Sequence, residues 1–284
     1  MKHYQLFYFL LFFVILLCSP LHTFELGLDF HLGNLALSPE REITETDFTG
    51  TDYYNWGLSL SGEHQINDKL VLSSSFYGDP VLRNISCSHV TYKENIFSIG
   101  IGPVFGFLNS GINPIIKPGI SAILRIEVPS IIFLEFRADS SLNSRLSIDQ
   151  DYIQERSDIS VGFYVPHAIC RVNILSTRFT QLMMVSEGGE DMFYDYVDSL
   201  MEYSFHANIF KKNVPYRINI SFAYHMLGKS YIKDTEITEH NLNSFILGTG
   251  IELDFSPAIH FTLDVESSIY TFGEGELVGI TNPG

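Results

Sequence analysis

From Phe24 to Leu32 the chain alternates at a period of two. Phe24, Leu26, Leu28, Phe30 and Leu32 are apolar, and Glu25, Gly27, Asp29 and His31 between them are polar or small. Successive side chains of a β-strand point to opposite faces, whereas an amphipathic helix groups its apolar residues three and four apart. This segment therefore predicts a strand with one apolar and one polar face. The pattern recurs over Tyr54–Ser61, Phe97–Phe107, Gly119–Val128, Met201–Ile209, Tyr216–Met226, Ser244–Phe255 and Ile259–Glu266, eight segments in all. One such segment constrains little, but eight from end to end predict one continuous antiparallel sheet. The polar positions hold Gly, Ser and scattered charges. A face turned to bulk water would carry many Lys, Glu and Thr instead, so the polar face is expected to line a confined lumen.

The N-terminus predicts export. Leu6–Leu17 is an unbroken apolar run of about 12 residues, shorter than the roughly 20 that a helix needs to cross a bilayer and close to the core of a signal peptide. Ser19, Pro20 and Thr23 follow, so residues 1–23 are expected to be the leader and 24–284 one domain. Beyond that run every apolar stretch is interrupted by Gly, Ser or charge. A mature chain of this kind is either soluble in an exported compartment, as a β-sandwich, or crosses a membrane as strands. A closed barrel is the β-structure that leaves no unpaired backbone in lipid.

Composition agrees with the barrel. Charged residues make up 18%, against about 25% for an ordinary soluble domain. The 23 Phe and 15 Tyr suit a pleated surface and a membrane boundary. The net charge of −16 excludes nucleic acid as a partner, because binding it needs clustered Lys and Arg. After cleavage only Cys87 and Cys170 remain, too few for a disulfide framework.

Tight turns are predicted at Ile66–Lys69, Val128–Ser130, Lys211–Pro215 and Ser256–Ala258, and longer polar loops near 33–53, 142–157, 182–196 and 228–241. The expected fold is an all-β, transmembrane, antiparallel up-and-down β-barrel of about 12 strands (range 10–14) behind a signal peptide. The count is twelve if 81–92 is loop; otherwise the tail after Phe272 supplies a short fourteenth strand.

Leader, alternation and unequal connections together resemble bacterial outer-membrane β-barrel proteins of the porin or channel type, over nearly the whole mature chain. The resemblance implies an outer-membrane location with the long loops outside. One feature departs from it: such barrels commonly finish on an aromatic residue, whereas Phe272 is followed by Gly273–Gly284.

The inward, pore-lining candidates are Arg125, Glu127, Glu135, Arg137, Asp139, Glu202, His206, Arg217, His225, Glu252 and Asp254. Arg125, Glu127, Glu135, Arg137 and Asp139 fall on two neighbouring strands, where opposite charges pair and brace the lumen. Ser204, His206 and Asn208 share one strand face. A hydrolase would need His to take the Ser proton, but a separation of roughly 6–7 Å between alternate Cα atoms makes a direct bond awkward, so polar lining is expected. Gly100, Gly102 and Gly106 lie inside a strand and not at a strand-to-helix turn, so they are small lining residues and not a phosphate loop. Acidic clusters around Glu40–Asp52, Glu187–Asp198 and Asp234–Glu239 match no Ca²⁺ loop. The ten histidines form no H-x-x-x-H pair, so neither metal nor cofactor is expected.

The expected function is a passive, porin-like channel that filters small solutes by size and charge, with outer-membrane lipid around it and no enzyme activity. The alternative is a non-conducting structural or surface-binding barrel whose acidic loops meet a surface ligand.

Overall fold

The computed structural model describes residues 24–33, 55–79, 83–110, 113–142, 151–187, 190–210, 214–233, 236–256, 259–273 and 276–278. The expected leader and most of the 33–53 loop lie outside them. The strands are β1 (Phe24–Gly33), β2 (Asn55–Asn67), β3 (Leu70–Asp79), β4 (Arg83–Lys93), β5 (Phe97–Ser110), β6 (Asn113–Val128), β7 (Ile132–Ser141), β8 (Tyr152–Val165), β9 (Ala168–Glu187), β10 (Glu190–Phe210), β11 (Tyr216–Lys233), β12 (Glu236–Ser256), β13 (Ile259–Gly273) and β14 (Glu276–Val278). Each pairs antiparallel with the next, in the unbroken order β1 to β14. No helix occurs among the described residues, and none of their pairings joins the first strand to the last.

Thirteen of these strands have ten residues or more, and β14 has three. The count lies within the expected range, but the tail after Phe272 supplies the short last strand, and 81–92 is not the loop on which twelve rested. That segment is β4, and its alternation is disguised because its inward face packs a core: Ile85 and Cys87 are only 2% and 1% exposed. Two expected loops are also strand. Glu187 pairs with Glu190 and Lys233 with Glu236, so the described residues of 182–196 and 228–241 are the ends of two long antiparallel strand pairs. Acidic residues suggested loops there, but Tyr, Phe, Met, Val and Ile between them favour strand once a partner strand is present. In the expected 142–157 loop, β8 already begins at Tyr152.

Short turns gather at one end. Asn67 Oδ1 accepts from the backbone N–H of both Lys69 and Leu70 at 2.9 Å, an Asx turn that closes β2–β3. Pro129–Ser130 and Pro166–His167 close β6–β7 and β8–β9. Pro fixes φ near −65°, and Ser130 and His167 follow at φ 62° and 68°, as in a type II turn. The other two expected turns include residues 211–213 and 257–258, outside the described set.

Facing follows the alternation and is inverted relative to a soluble protein. On β7, Leu134 is 44% exposed whereas Asp139 is 7% exposed. Ile99, Ile101, Leu124, Ile126, Phe205, Ile218, Ile220, Phe222 and Leu263 all project from the outer face, while the charges of the same strands project inward. Toward the long-hairpin end, Ile85, Cys87, Val104, Tyr152, Phe179, Leu200 and Leu227 form one buried cluster. These residues come from β4, β5 and β8–β11, so the sheet curls until its inner faces meet.

Candidate functional site: the inner face

The inner faces of β6–β9 carry a network of paired charge near the short-turn end. Arg125 reaches Glu127 at 2.8 Å and Glu135 at 3.1 Å, and Arg171 reaches the other oxygen of Glu135 at 2.8 Å. The Tyr164 hydroxyl donates to Glu127 at 2.7 Å and accepts from Arg125 at 3.1 Å. Both guanidinium groups lie over the Phe133 ring, at 4.1 and 5.5 Å from its centre, an attraction worth about 0.5–2 kcal/mol. Phe133 has room for this because the facing residue is Gly162, where a Cβ would stand 2.1 Å from the ring.

Higher on the same faces, Arg137 pairs with Asp139 at 2.9 Å and Arg156 with Asp158 at 3.2 Å. Lys117 and Asp151 pair at 2.7 Å with both side chains under a tenth exposed. The Tyr152 hydroxyl donates to the carbonyl of Ile115 at 3.0 Å, and its ring stacks on Phe179 at 5.6 Å. On β10–β12, Glu202 pairs with His225 at 3.0 Å and Arg217 with Glu252 at 2.7 Å.

Ten of the eleven pore-lining candidates therefore point inward; seven of them are in ion pairs, and Glu202 and His225 contact each other; the side chain of Asp254 lies outside the described residues. Arg125, Glu127, Glu135, Arg137 and Asp139 are joined in ion pairs on and across β6 and β7.

The Ser204–His206 bond expected to be awkward does form: His206 Nε2 lies 3.0 Å from Ser204 Oγ. Side chains on the concave face of a curled sheet converge, which shortens the gap their Cα spacing leaves. The third member of a hydrolase site does not follow. Asn208 donates to Asn219 at 2.6 Å instead of orienting the imidazole.

On β12, Gly248 and Gly250 face inward. A Cβ on Gly250 would stand 1.7 Å from Asp264 Oδ1, and one on Gly248 would stand 3.1 Å from Glu266 Cγ. Their absent side chains let both carboxylates of β13 lie across β12 toward β11, where Asn219 donates to Asp264 at 3.3 Å. His206, Asn208, Asn219, Ser221, Asp264 and Glu266 border a recess of about 240 Å³. Asp264 and Glu266 themselves are exposed.

The residues missed by sequence reading are Lys117, Asp151, Arg156, Asp158, Tyr164 and Arg171, together with Cys87, His89 and Ser121. Arg156 and Asp158 carry the same two-apart signal as Arg125 and Glu127 but begin in a segment taken for loop. Cys87 and His89 also lie two apart, inside the segment least legible as strand.

No protein-family model, curated protein or solved structure matches the chain.

Proposed function

We propose that the chain is a membrane-embedded β-barrel of a bacterial outer membrane that passes small solutes, with a preference for cations, along a narrow lane on the inner face of β11–β13. Support for the membrane comes from the inverted facing. Large apolar side chains cover the outer face, and charge on the inner face is neutralised pairwise. In water the arrangement would be costly on both faces; in lipid each face meets its match. The export this requires is consistent with the apolar run Leu6–Leu17.

The observation that carries the lane is an asymmetry of charge. On β6–β9 the inward Lys117, Arg125, Arg137, Arg156 and Arg171 are each paired with a carboxylate, and the apolar cluster around Tyr152 and Phe179 fills the space above them. Beside that packed half, Asp264 and Glu266 stay exposed at the mouth of the recess. Uncompensated carboxylates in a confined space of low dielectric attract cations and repel anions. No chemistry is involved; the lane filters by size and charge.

A second reading is favoured by the buried cluster itself: a barrel sealed at rest, structural or ligand-binding, with its hairpin tips outside. Conductance of the detergent-refolded protein in a planar bilayer under a salt gradient separates the two. Stable steps with a cation-selective reversal potential are expected, and Asp264→Asn with Glu266→Gln should reduce that selectivity. A barrel that inserts and stays silent, yet conducts once Tyr152 and Phe179 are replaced by Ala, would sink the lane and establish the sealed reading.

A further inference from the structure

Cys87 and His89 lie two apart on β4 and so share its inner face. Their side chains touch: Sγ is 3.4 Å from His89 Nε2. That nitrogen is 2.6 Å from the hydroxyl of Ser121 on β6, and Ser121 in turn donates to Oδ1 of Asp139 on β7. One ligand atom each from Cys87, His89 and Asp139 fall within 4.8 Å of one another, and all three residues are buried. We propose that this cluster is a binding site for a borderline-soft divalent cation, with Zn²⁺ the best fit.

Donor chemistry sets the class. A thiolate, an imidazole and a carboxylate together suit Zn²⁺ and not the oxygen-seeking Mg²⁺ or Ca²⁺. Bond lengths of about 2.3 Å to sulfur and 2.0–2.1 Å to nitrogen imply a tetrahedral S···N edge of roughly 3.5 Å, which the 3.4 Å contact already matches. Three protein ligands leave a fourth position, within reach of the Ser121 hydroxyl or a water.

The backbone makes room for the cluster. Gly102 on β5 stands between β4 and β6, and a Cβ there would lie 1.7 Å from the Ser88 carbonyl oxygen. With no side chain on β5 at this level, His89 reaches across to Ser121. The charges facing the cluster also permit a cation. Arg137 holds both oxygens of Asp139, Oδ2 at 2.9 Å and Oδ1 at 3.2 Å, so a cation on Oδ1 takes the place of the Ser121 hydroxyl and leaves the Arg137 pair in place; Arg156 is engaged by Asp158 at 3.2 Å. Binding through sulfur releases the Cys87 thiol proton to solvent, and the Zn²⁺–thiolate–carboxylate set then carries no net charge. This site does not depend on whether the barrel conducts.

The test uses the purified, refolded protein with Cys18→Ser and Cys170→Ser, which leaves Cys87 as its one thiol. Co²⁺ serves as a coloured substitute for Zn²⁺. One bound ion per chain is expected, with a thiolate-to-cobalt charge-transfer band and the intense visible bands of tetrahedral Co²⁺, both discharged by Zn²⁺. Loss of even an outer hydrogen-bond partner costs about 10–100-fold in metal affinity, so His89→Ala and Asp139→Asn should each weaken Zn²⁺ by at least that factor. Should either variant fail to assemble, the band of the single-thiol protein still decides. Absence of a charge-transfer band at saturating Co²⁺, or affinities unchanged in folded His89→Ala and Asp139→Asn, would overturn the site.

Discussion

A methyl group on Gly102 would stand 1.7 Å from the carbonyl oxygen of Ser88, so β5 and β4 approach at a distance that only glycine permits. Gly106, on the same face, is crowded differently: its nearest neighbour would be the side-chain oxygen of Gln154, at 1.8 Å, reaching over from β8. The first obstacle is backbone; the second is the end of a flexible side chain. Gly102→Ala is therefore expected to destabilise by about 1–3 kcal/mol or more, as overpacking does, and Gly106→Ala by less. Urea unfolding in lipid vesicles, followed by tyrosine and tryptophan fluorescence, would show the order. Equal losses would mean that the β4–β5 approach is looser than the geometry requires.

Leu124 and Arg125 are neighbours in sequence and opposites in facing. Leu124 is 40% exposed on the outer face, and Arg125 is held by Glu127 and Glu135 on the inner one. Leu124→Arg should cost about 2–4 kcal/mol if its level is the bilayer midplane, and nearer 0–1 at the interface. The same substitution at Ser98, which faces inward opposite Arg125, should not show this dependence on lipid. Running both variants in vesicles and in detergent separates facing from general disruption.

Glu135 bridges two cations, Arg125 and Arg171, whereas Glu127 meets one cation and a hydroxyl. Removing Glu135 leaves Arg171 without this carboxylate and Arg125 with one fewer. Glu135→Ala is expected to cost about 1–3 kcal/mol and Glu127→Ala about half that, both reduced because these side chains are some 30% exposed and water screens them. A double-mutant cycle of Glu135 with Arg171 should return a coupling energy; a value near zero would make the network incidental to stability.

Much of the fold was legible because the apolar outer face and the polar inner face of the sheet impose opposite demands on alternate residues. Phe97–Phe107 and Ile120–Val128 state their facing outright. β4 resisted because its inner face joins a buried core, so Ile85 and Cys87 broke the polar-inward rule. The tips of β9–β12 resisted because acidic residues signal loops to any reader who cannot see the partner strand. At the site, Arg125 and Glu135 were legible as one hairpin's charges. The partner Arg171 was not, since it stands two strands from Glu135 and meets it only through curvature of the sheet. Cys87, His89 and Asp139 are scattered for the same reason, joined across β5 and β6 by the small residues Gly102 and Ser121.

Lys69 and Glu94 form an ion pair between the β2–β3 and β4–β5 turns, outside the strands themselves, and Tyr92 donates to the same Glu94 oxygen at 2.7 Å. The Lys69 hydrogen bond first, and the Tyr92 hydroxyl second, hold the Glu94 carboxyl below its ordinary value of 4.5. The bond to Glu94 likewise lifts Lys69 above its ordinary 10.5. The signs follow from linkage. A depressed carboxylate contributes stability that is present above its unfolded value and lost as pH falls through the folded one. A raised lysine contributes stability that is complete below its unfolded value and lost as pH rises through the folded one. The pair should thus tie the two turns together across the neutral range and release them at both extremes. The Lys93 amide, which donates to the Lys69 carbonyl at 2.7 Å across the same junction, reports the release. Its hydrogen-exchange protection factor should fall on acidification below the ordinary carboxylate range. In Glu94→Gln it should already be lowered at neutral pH and lose that acid dependence. High salt should mimic the loss in part, because an exposed pair is screened over about 3 Å at 1 M. Protection that is flat from pH 3 to 7 in the unsubstituted protein would mean that the junction is held by its backbone bond and not by the ion pair.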